Sequence, residues 1–373
     1  MSKQEVFFAL LRNGLWRREE ELPKELTEKQ TLAILQMAEE QAVLGLVAGA
    51  LLRNDISMPE DLRYEVIGIK VQIQQGNEQL NNGLRLLTEL FDEKGVDYVV
   101  VKGQAVAARY ADMTERQSGD IDYYCDAKNF PKSLQAIKDA WGIVQEGNLS
   151  GHHIHYDYQG VTYEGHFELT TFYSKKHDAY WQRLLDEDKG TVVMVDGKGV
   201  KTLSPTMHTL FVFIHLFHHL LELGIGLRQF CDWAVMLHTY RDEIDQKGLQ
   251  EHLQALGLER AYRACGSILV DCLGLPTAEF TYELTDHDRR YVARIMDVIF
   301  YRGNMGRYNK RNGFSGWRHN IEATGIKVSH FVKFVALAPN YCCRWIGCEL
   351  MKKVILKIKG YGLLVMGYRP WKG

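Results

Sequence analysis

The sequence predicts an α+β fold: a small mixed β-sheet core with flanking helices and a helical C-terminal region. Three observations carry that expectation. Apolar residues recur at three- and four-residue spacing through most of 4–94 and again from 205 onward, the period of a helix with one buried face. Between these regions, short β-branched or alternating runs bounded by glycines take over, as strands do. Two of those runs flank Asp196-Gly197-Lys198-Gly199, a strong hairpin signal.

Taken in order, Thr27–Arg53 and Asp61–Lys94 are read as helices, the second opened by Pro59 and stopped by Gly95. Gly68, Gly76 and Gly83 weaken that second helix locally. Val99-Val100-Val101 reads as a buried strand ending on Lys102-Gly103, followed by a helix over Gln104–Asp112 and a strand over Asp120–Cys125. Phe130–Trp141 reads as a helix with Pro131 in its first turn. Ile143–Gln145, His152–Tyr158 and Thr162–Phe172 read as further strands of a mixed sheet, and Val192–Val195 and Val200–Leu203 as the hairpin. Helices then follow over Pro205–Leu223, Arg228–Tyr240, Leu249–Leu256 and Arg260–Leu273, and residues 301–320 read as a loop or surface segment. The expected organisation is a helical region 1–95, an α/β core 96–204, a helical domain 205–300 and a basic segment 301–373.

At 373 residues, with 46% apolar residues and a net charge of −2, the chain can bury a substantial core and is not a globally basic nucleic-acid binder. The charge is uneven. Residues 301–373 hold 14 Lys and Arg against Glu322 and Glu349, hence +12, which leaves −14 for the rest. Seven cysteines at irregular spacing do not form a disulfide framework. The short apolar patch Val6–Leu11 is followed by Arg12, Arg17 and Arg18 without a small-residue cleavage site, so no secretory signal is expected. With no transmembrane run of about 18 apolar residues, a cytoplasmic location is expected.

Gly119-Asp120-Ile121-Asp122 is the most informative tetrapeptide. In a strand, residues i and i+2 share a face, so Asp120 and Asp122 project together. Neighbouring carboxylates repel unless a cation lies between them, and Mg²⁺ favours oxygen ligands. An exposed strand end is the plainer alternative. Upstream, the turn Lys102-Gly103 leads from an apolar strand into a helix and can offer backbone N–H groups to phosphate. Downstream, Phe167-Glu168-Leu169 places a carboxylate within an apolar run, where an unpaired charge is costly. Glu164 is the alternative third acid, because four residues along a strand keep it on the face of Glu168.

This combination resembles the DNA polymerase beta-like nucleotidyltransferase superfamily and, more closely, an uncharacterised bacterial nucleotidyltransferase family whose turn reads Lys-Gly. The likeness runs over roughly 30–270 and is most specific in 97–125. It rests on Val100–Ala107, Tyr110, Arg116, Gly119–Asp122, the strand segment His166–Leu169, and Leu227–Asp232. It implies a nucleotidyltransferase core that moves a nucleoside monophosphate from an NTP donor to a hydroxyl of an acceptor. Asp120 and Asp122 would bind two Mg²⁺ ions, with Mn²⁺ as a substitute, and Glu168 would bind the catalytic one. Lys102 and Gly103, with Gln104 and Gly119 beside them, would contact the nucleotide, and Arg116 would neutralise phosphate charge. The Gly-Ser pair usual in the superfamily is absent, which leaves a catalytically degenerate nucleotide- or partner-binding protein as the alternative.

Other signals have plainer readings. His152, His153, His155 and His166 invite a zinc reading, and His153 and His155 share a strand face, yet no Cys-x-x-Cys or Glu-containing helix motif supports it. His215 and His219, four apart on a helix, read as core or site-lining residues. Arg228 and Asp232 allow an intrahelical ion pair. Tyr123 and Tyr124 read as core, and Cys125 has no identifiable base partner. Trp345–Tyr368 mixes Lys352, Lys353, Lys357 and Lys359 with apolar residues. It reads either as a counter-charge to the acidic body or as a basic amphipathic helix, peripheral to an anionic membrane surface or bound to RNA.

Overall fold

The computed structural model describes residues 1–144, 153–222, 224–304 and 317–351. The chain opens with four helices: α1 (Lys3–Trp16), α2 (Glu28–Glu40), α3 (Leu44–Arg53) and α4 (Glu60–Glu93). Ser2 with Glu5 and Thr27 with Gln30 form capping boxes that satisfy the first N–H groups of α1 and α2. The single helical run expected over Thr27–Arg53 is broken at 41–43, where Ala42 takes a positive φ of 54°. In contrast, α4 runs unbroken for 34 residues. Gly68 and Gly76 lie where nothing approaches, but Gly83 is needed: a Cβ there would stand 2.8 Å from the Tyr163 hydroxyl. That hydroxyl donates to the Gly83 carbonyl, so α4 packs directly on the sheet.

The sheet is built from β1 (Val99–Val101), β2 (Ile121–Tyr124), β3 (His153–Tyr158) and β4 (Val161–His166) in the order β1-β2-β4-β3. β2 runs parallel to β4, and both outer strands are antiparallel to their neighbours, so the sheet is mixed as the sequence predicts. Short helix α5 (Gly103–Ala107) follows β1, and α6 (Phe130–Trp141) has the predicted bounds. Ile143 and Val144 are not in a strand, and Gln145 lies outside the described residues. β4 ends at His166 instead of continuing to Phe172, because Phe167 leaves the strand to pack edge-on against Phe130 with ring centroids 5.1 Å apart.

Helix α7 (Lys175–Glu187), which the sequence reading missed, buries only Trp181 and Leu184. The hairpin β5 (Thr191–Val195) and β6 (Lys198–Thr202) turns on Asp196 and Gly197, both at positive φ, as a two-residue turn requires. Thr202 Oγ1 donates to the Val100 carbonyl at 2.7 Å, fastening the hairpin beside β1. The second helical region contains α8 (Pro205–Glu222), α9 (Leu227–Thr239), α10 (Gln246–Leu256), α11 (Glu259–Asp271), α12 (Asp286–Arg289), α13 (Val292–Arg302) and α14 (Trp317–Phe334). Residues 339–351 are also helical. The loop expected over 301–320 falls mostly outside the described residues, while 317–320 belong to α14.

Two apolar cores result. One gathers the faces of α1–α3, α8, α9 and α11 and reaches Trp345; the other lies between α4, α6 and the sheet. Tyr123 and Tyr124 are buried in these cores, as expected. All seven cysteines are free thiols. No described helix is long and apolar enough to cross a membrane. Residues 352–373, which hold five of the tail's lysines, lie outside the described residues.

Candidate active site

The site begins where β1 stops. Lys102 has φ 58° and ψ −147°, a region that is nearly glycine-only and costs a residue with a side chain about 1–3 kcal/mol. Gly103 follows with φ 43°. Tertiary contacts hold this turn. The Lys102 N–H donates to His208 Nε2 on α8 at 3.4 Å. His208 Nδ1 lies 3.2 Å from Thr202 Oγ1. Since Thr202 donates its own proton to Val100, His208 must donate through Nδ1 and accept through Nε2. Burial lowers its pKa to about 4 and keeps it in that neutral form.

The strained backbone aims the Lys102 ammonium at Asp122 on β2, with Nζ 2.8 Å from Oδ1. His166 on β4 reaches the same oxygen through Nε2 at 2.9 Å. Asp122 is 3% exposed. Although burial acts to raise its pKa, Lys102 and His166 outweigh this and hold it well below the usual carboxylate range. Lys102 in turn stays protonated despite burial, through Asp122.

The parallel register places Asp122 directly beside Glu164. Burial first, then the Asp122 charge, pushes the Glu164 carboxyl up to about 7. Asp120 stands one residue before β2, and burial together with Asp122 raises its pKa as well. Two of the three carboxylates therefore lack full positive compensation, which is the condition a divalent cation would relieve. Donor atoms of Asp122, Glu164 and His166 lie within 4.8 Å of one another. Asp120 faces the same cavity but is not in that tight group.

The cavity has a volume of ≈ 780 Å³, within the range of small-molecule sites. Its sheet wall carries Lys102, Asp120, Asp122, Glu164 and His166, and its helical wall carries His215, His218, His219, Glu222 and Arg228. His215 and His219 bring their Nε2 atoms 3.0 Å apart, and burial depresses both pKa values, that of His219 to about 3. The site-lining reading of this pair thus agrees with the structure.

The remaining expected residues are distributed unevenly. Gly103 and Gly119 line the cavity. Gln104 does not; it is 1% exposed and donates to Asn81 on α4. Arg116 reaches the cavity, but its donors are engaged: Nε and Nη2 bind Asp232 at 2.7 and 2.8 Å, and Nη1 binds Ser118. Tyr110 donates to the same Asp232 at 2.6 Å. Asp232 therefore pairs closely with Arg116 across the fold, while Arg228 donates to the Gln117 carbonyl at 2.8 Å. Glu168 lies beyond the end of β4 and outside the cavity lining, where its Oε1 accepts from Thr171 at 3.2 Å. Glu164, the alternative on the same strand, occupies the cavity wall.

The segment leading to Asp120 is anchored from below. Glu115, with a fully buried side chain, pairs with Arg53 at 2.5 Å, Arg17 at 3.0 Å and Lys70 at 3.5 Å. Asn77 Nδ2 donates to the carbonyls of Thr114 and Arg116. His208 is the functional candidate that sequence reasoning passed over, whereas His166, weighed there only among the histidines of a zinc reading, is a direct partner of Asp122. Nothing local in the sequence links His208 to a turn 106 residues earlier.

A model of the uncharacterised nucleotidyltransferase family matches residues 27–274 of the chain. Among solved structures, an antigenic nucleotidyltransferase-like protein from Paracoccidioides brasiliensis aligns at 15% identity with a TM-score of 0.32, covering 55% of this chain and 98% of that one. No curated protein matches the chain.

Proposed function

The chain belongs to the uncharacterised nucleotidyltransferase family, and from that premise we propose that it transfers a nucleoside monophosphate from an NTP to a hydroxyl of an acceptor, with Mg²⁺ as cofactor. The observation that carries this reading is the convergence of Asp120, Asp122 and Glu164 on one cavity beside the Lys102-Gly103 turn. Asp120, Asp122 and Glu164 would hold the cation, Glu164 in the place that sequence spacing offered to Glu168. When bound, the metal supplies Lewis-acid polarisation of a phosphoryl oxygen and acidifies a bound hydroxyl.

The chain's own residues supply the rest. Lys102, which neutralises Asp122 at 2.8 Å, would be free to meet the donor's phosphates once the carboxylates had another counter-charge. The N–H groups after Gly103 lie at the same turn and orient that anion. Glu164, beside Asp122 on the parallel strand, accepts the proton of the acceptor hydroxyl as the general base. Arg116 and Asp232 hold the segment before Asp120 in place and leave phosphate charge to Lys102 and Arg228.

One observation favours a second reading, a degenerate member that binds nucleotide or a partner without turnover: Lys102 already serves as the internal cation of Asp122. Thermal stabilisation by ATP, GTP, CTP and UTP with and without Mg²⁺ separates the two. Nucleotidyl transfer requires a Mg²⁺-dependent shift that is lost in the Asp120→Asn/Asp122→Asn variant, and pyrophosphate release once an acceptor is supplied. A nucleotide shift that ignores both Mg²⁺ and the substitutions would sink the catalytic reading in favour of the second.

A further inference from the structure

Strands β3 and β4 are registered so that His153 faces His166 and His155 faces Glu164. Residues i and i+2 of a strand share a face, so three imidazoles and one carboxylate form a two-by-two patch, and all four line the cavity. The nearest donor atoms of His153, His155 and Glu164 lie within 4.8 Å of one another, and His155 Nδ1 is 3.2 Å from Glu164 Oε1. Around a tetrahedral zinc ion with bonds of about 2.0–2.1 Å, neighbouring ligand atoms stand about 3.3 Å apart. The His155–Glu164 edge already has that spacing, and His153 closes the triangle by a side-chain adjustment.

We propose that His153, His155 and Glu164 form a binding site for a zinc-class divalent cation, which shares Glu164 with the oxygen-ligand cluster of Asp120 and Asp122 and takes its other ligands from β3. Imidazole nitrogen suits zinc, copper and nickel, whereas Mg²⁺ takes oxygen and near-octahedral geometry. Three protein ligands leave a fourth position for water or an anion, the pattern of an open site and not of a closed structural one.

Glu164 belongs to both groups, so zinc at the outer site draws it away from Asp122. That consequence rests on the nucleotidyl-transfer reading; the binding itself does not. The test uses the full chain stripped of metal. Zn²⁺ is titrated in competition with a chromophoric chelator, and Co²⁺ is added separately as a spectroscopic probe of coordination. One equivalent of Zn²⁺ should bind, and Co²⁺ should give the intense visible bands of four-coordinate geometry. The exposed pair His153→Ala/His155→Ala should weaken Zn²⁺ by about tenfold or more, while Asp120→Asn should leave it within about twofold. Unchanged affinity in the histidine variant, or an equal loss in Asp120→Asn, would overturn the site. Neither result depends on nucleotide turnover, so the outcome stands apart from the fate of the transferase reading.

Discussion

Replacing Lys102 by glycine sets two effects of the same turn against each other. The ammonium is 16% exposed and its partner Asp122 3%, so removing it breaks a buried ion pair, typically a loss of about 3–5 kcal/mol. His166 still donates to the same oxygen, which places the loss near about 3 kcal/mol. Against this, glycine adopts φ 58° freely and recovers about 1–2 kcal/mol of backbone strain. The net is a destabilisation of about 1–2 kcal/mol without metal. At about 2.1 cal/mol/K per residue, a chain of 373 residues unfolding as one unit shifts by about 1.3 °C per kcal/mol, so Lys102→Gly should melt about 2 °C below wild type. Mg²⁺ then changes the gap. In the variant no ammonium competes for Asp122, and a cation at 100 times its dissociation constant adds about 2.7 kcal/mol, or about 3.5 °C. Wild type must first displace Lys102 and should gain less. Calorimetry of both proteins with EDTA and with saturating Mg²⁺ reads this out as a larger Mg²⁺ response in the variant, which narrows or reverses the gap between the two. A variant whose Mg²⁺ response is no larger than that of wild type would refute the claim that Lys102 and a divalent cation share one position.

Three other outcomes follow from the same geometry. Glu164→Gln should abolish the Mg²⁺-dependent nucleotide shift and Glu168→Gln should leave it within about twofold; the opposite pattern, read by thermal shift, would return the third-acid role to Glu168. Arg116→Ala leaves Asp232 buried without its bidentate partner and should cost about 3–5 kcal/mol, seen as a melting point lower by about 4–6 °C; unchanged stability with lost nucleotide binding would make Arg116 a phosphate ligand instead. Burial lowers the pKa of His208 from the usual 6.5 to about 4. Its unfolded form takes up a proton first as pH falls, so its contribution is complete above about 6.5 and is lost between pH 6.5 and 4, about 3 kcal/mol in all. His208→Gln should flatten the melting temperature over that window, and an unchanged slope would show that another group sets it.

How much of this was legible depended on whether a residue's fate was decided locally. The turn at Asp196-Gly197, the strand Val99–Val101 and helix α6 carry their own signals, and the structure keeps them with little change. Helix α7 failed for the opposite reason: its apolar stripe is reduced to Trp181 and Leu184, too narrow a face for periodicity to register. The site divides the same way. Asp120 and Asp122 are two residues apart in one strand direction, so alternation alone puts them on one cavity. The third carboxylate could not be decided so. Both Glu164 and Glu168 satisfy alternation, and the flanking Phe167 and Leu169 make Glu168 the more strand-like of the two. What separates them is where pairing stops. β3 supplies partners for β4 only as far as His166, and Phe167 then turns to the Phe130 ring. Partner length is a property of the sheet, not of either segment. Arg116 and Asp232 make the same point across 116 positions. Spacing on a helix suggested Arg228 as the close partner of Asp232, yet the bidentate fork of Arg116 reaches it in the fold at 2.7 and 2.8 Å. A fork that meets both carboxylate oxygens forms two charge-assisted hydrogen bonds at once, and so tertiary contact outweighed the helical neighbour.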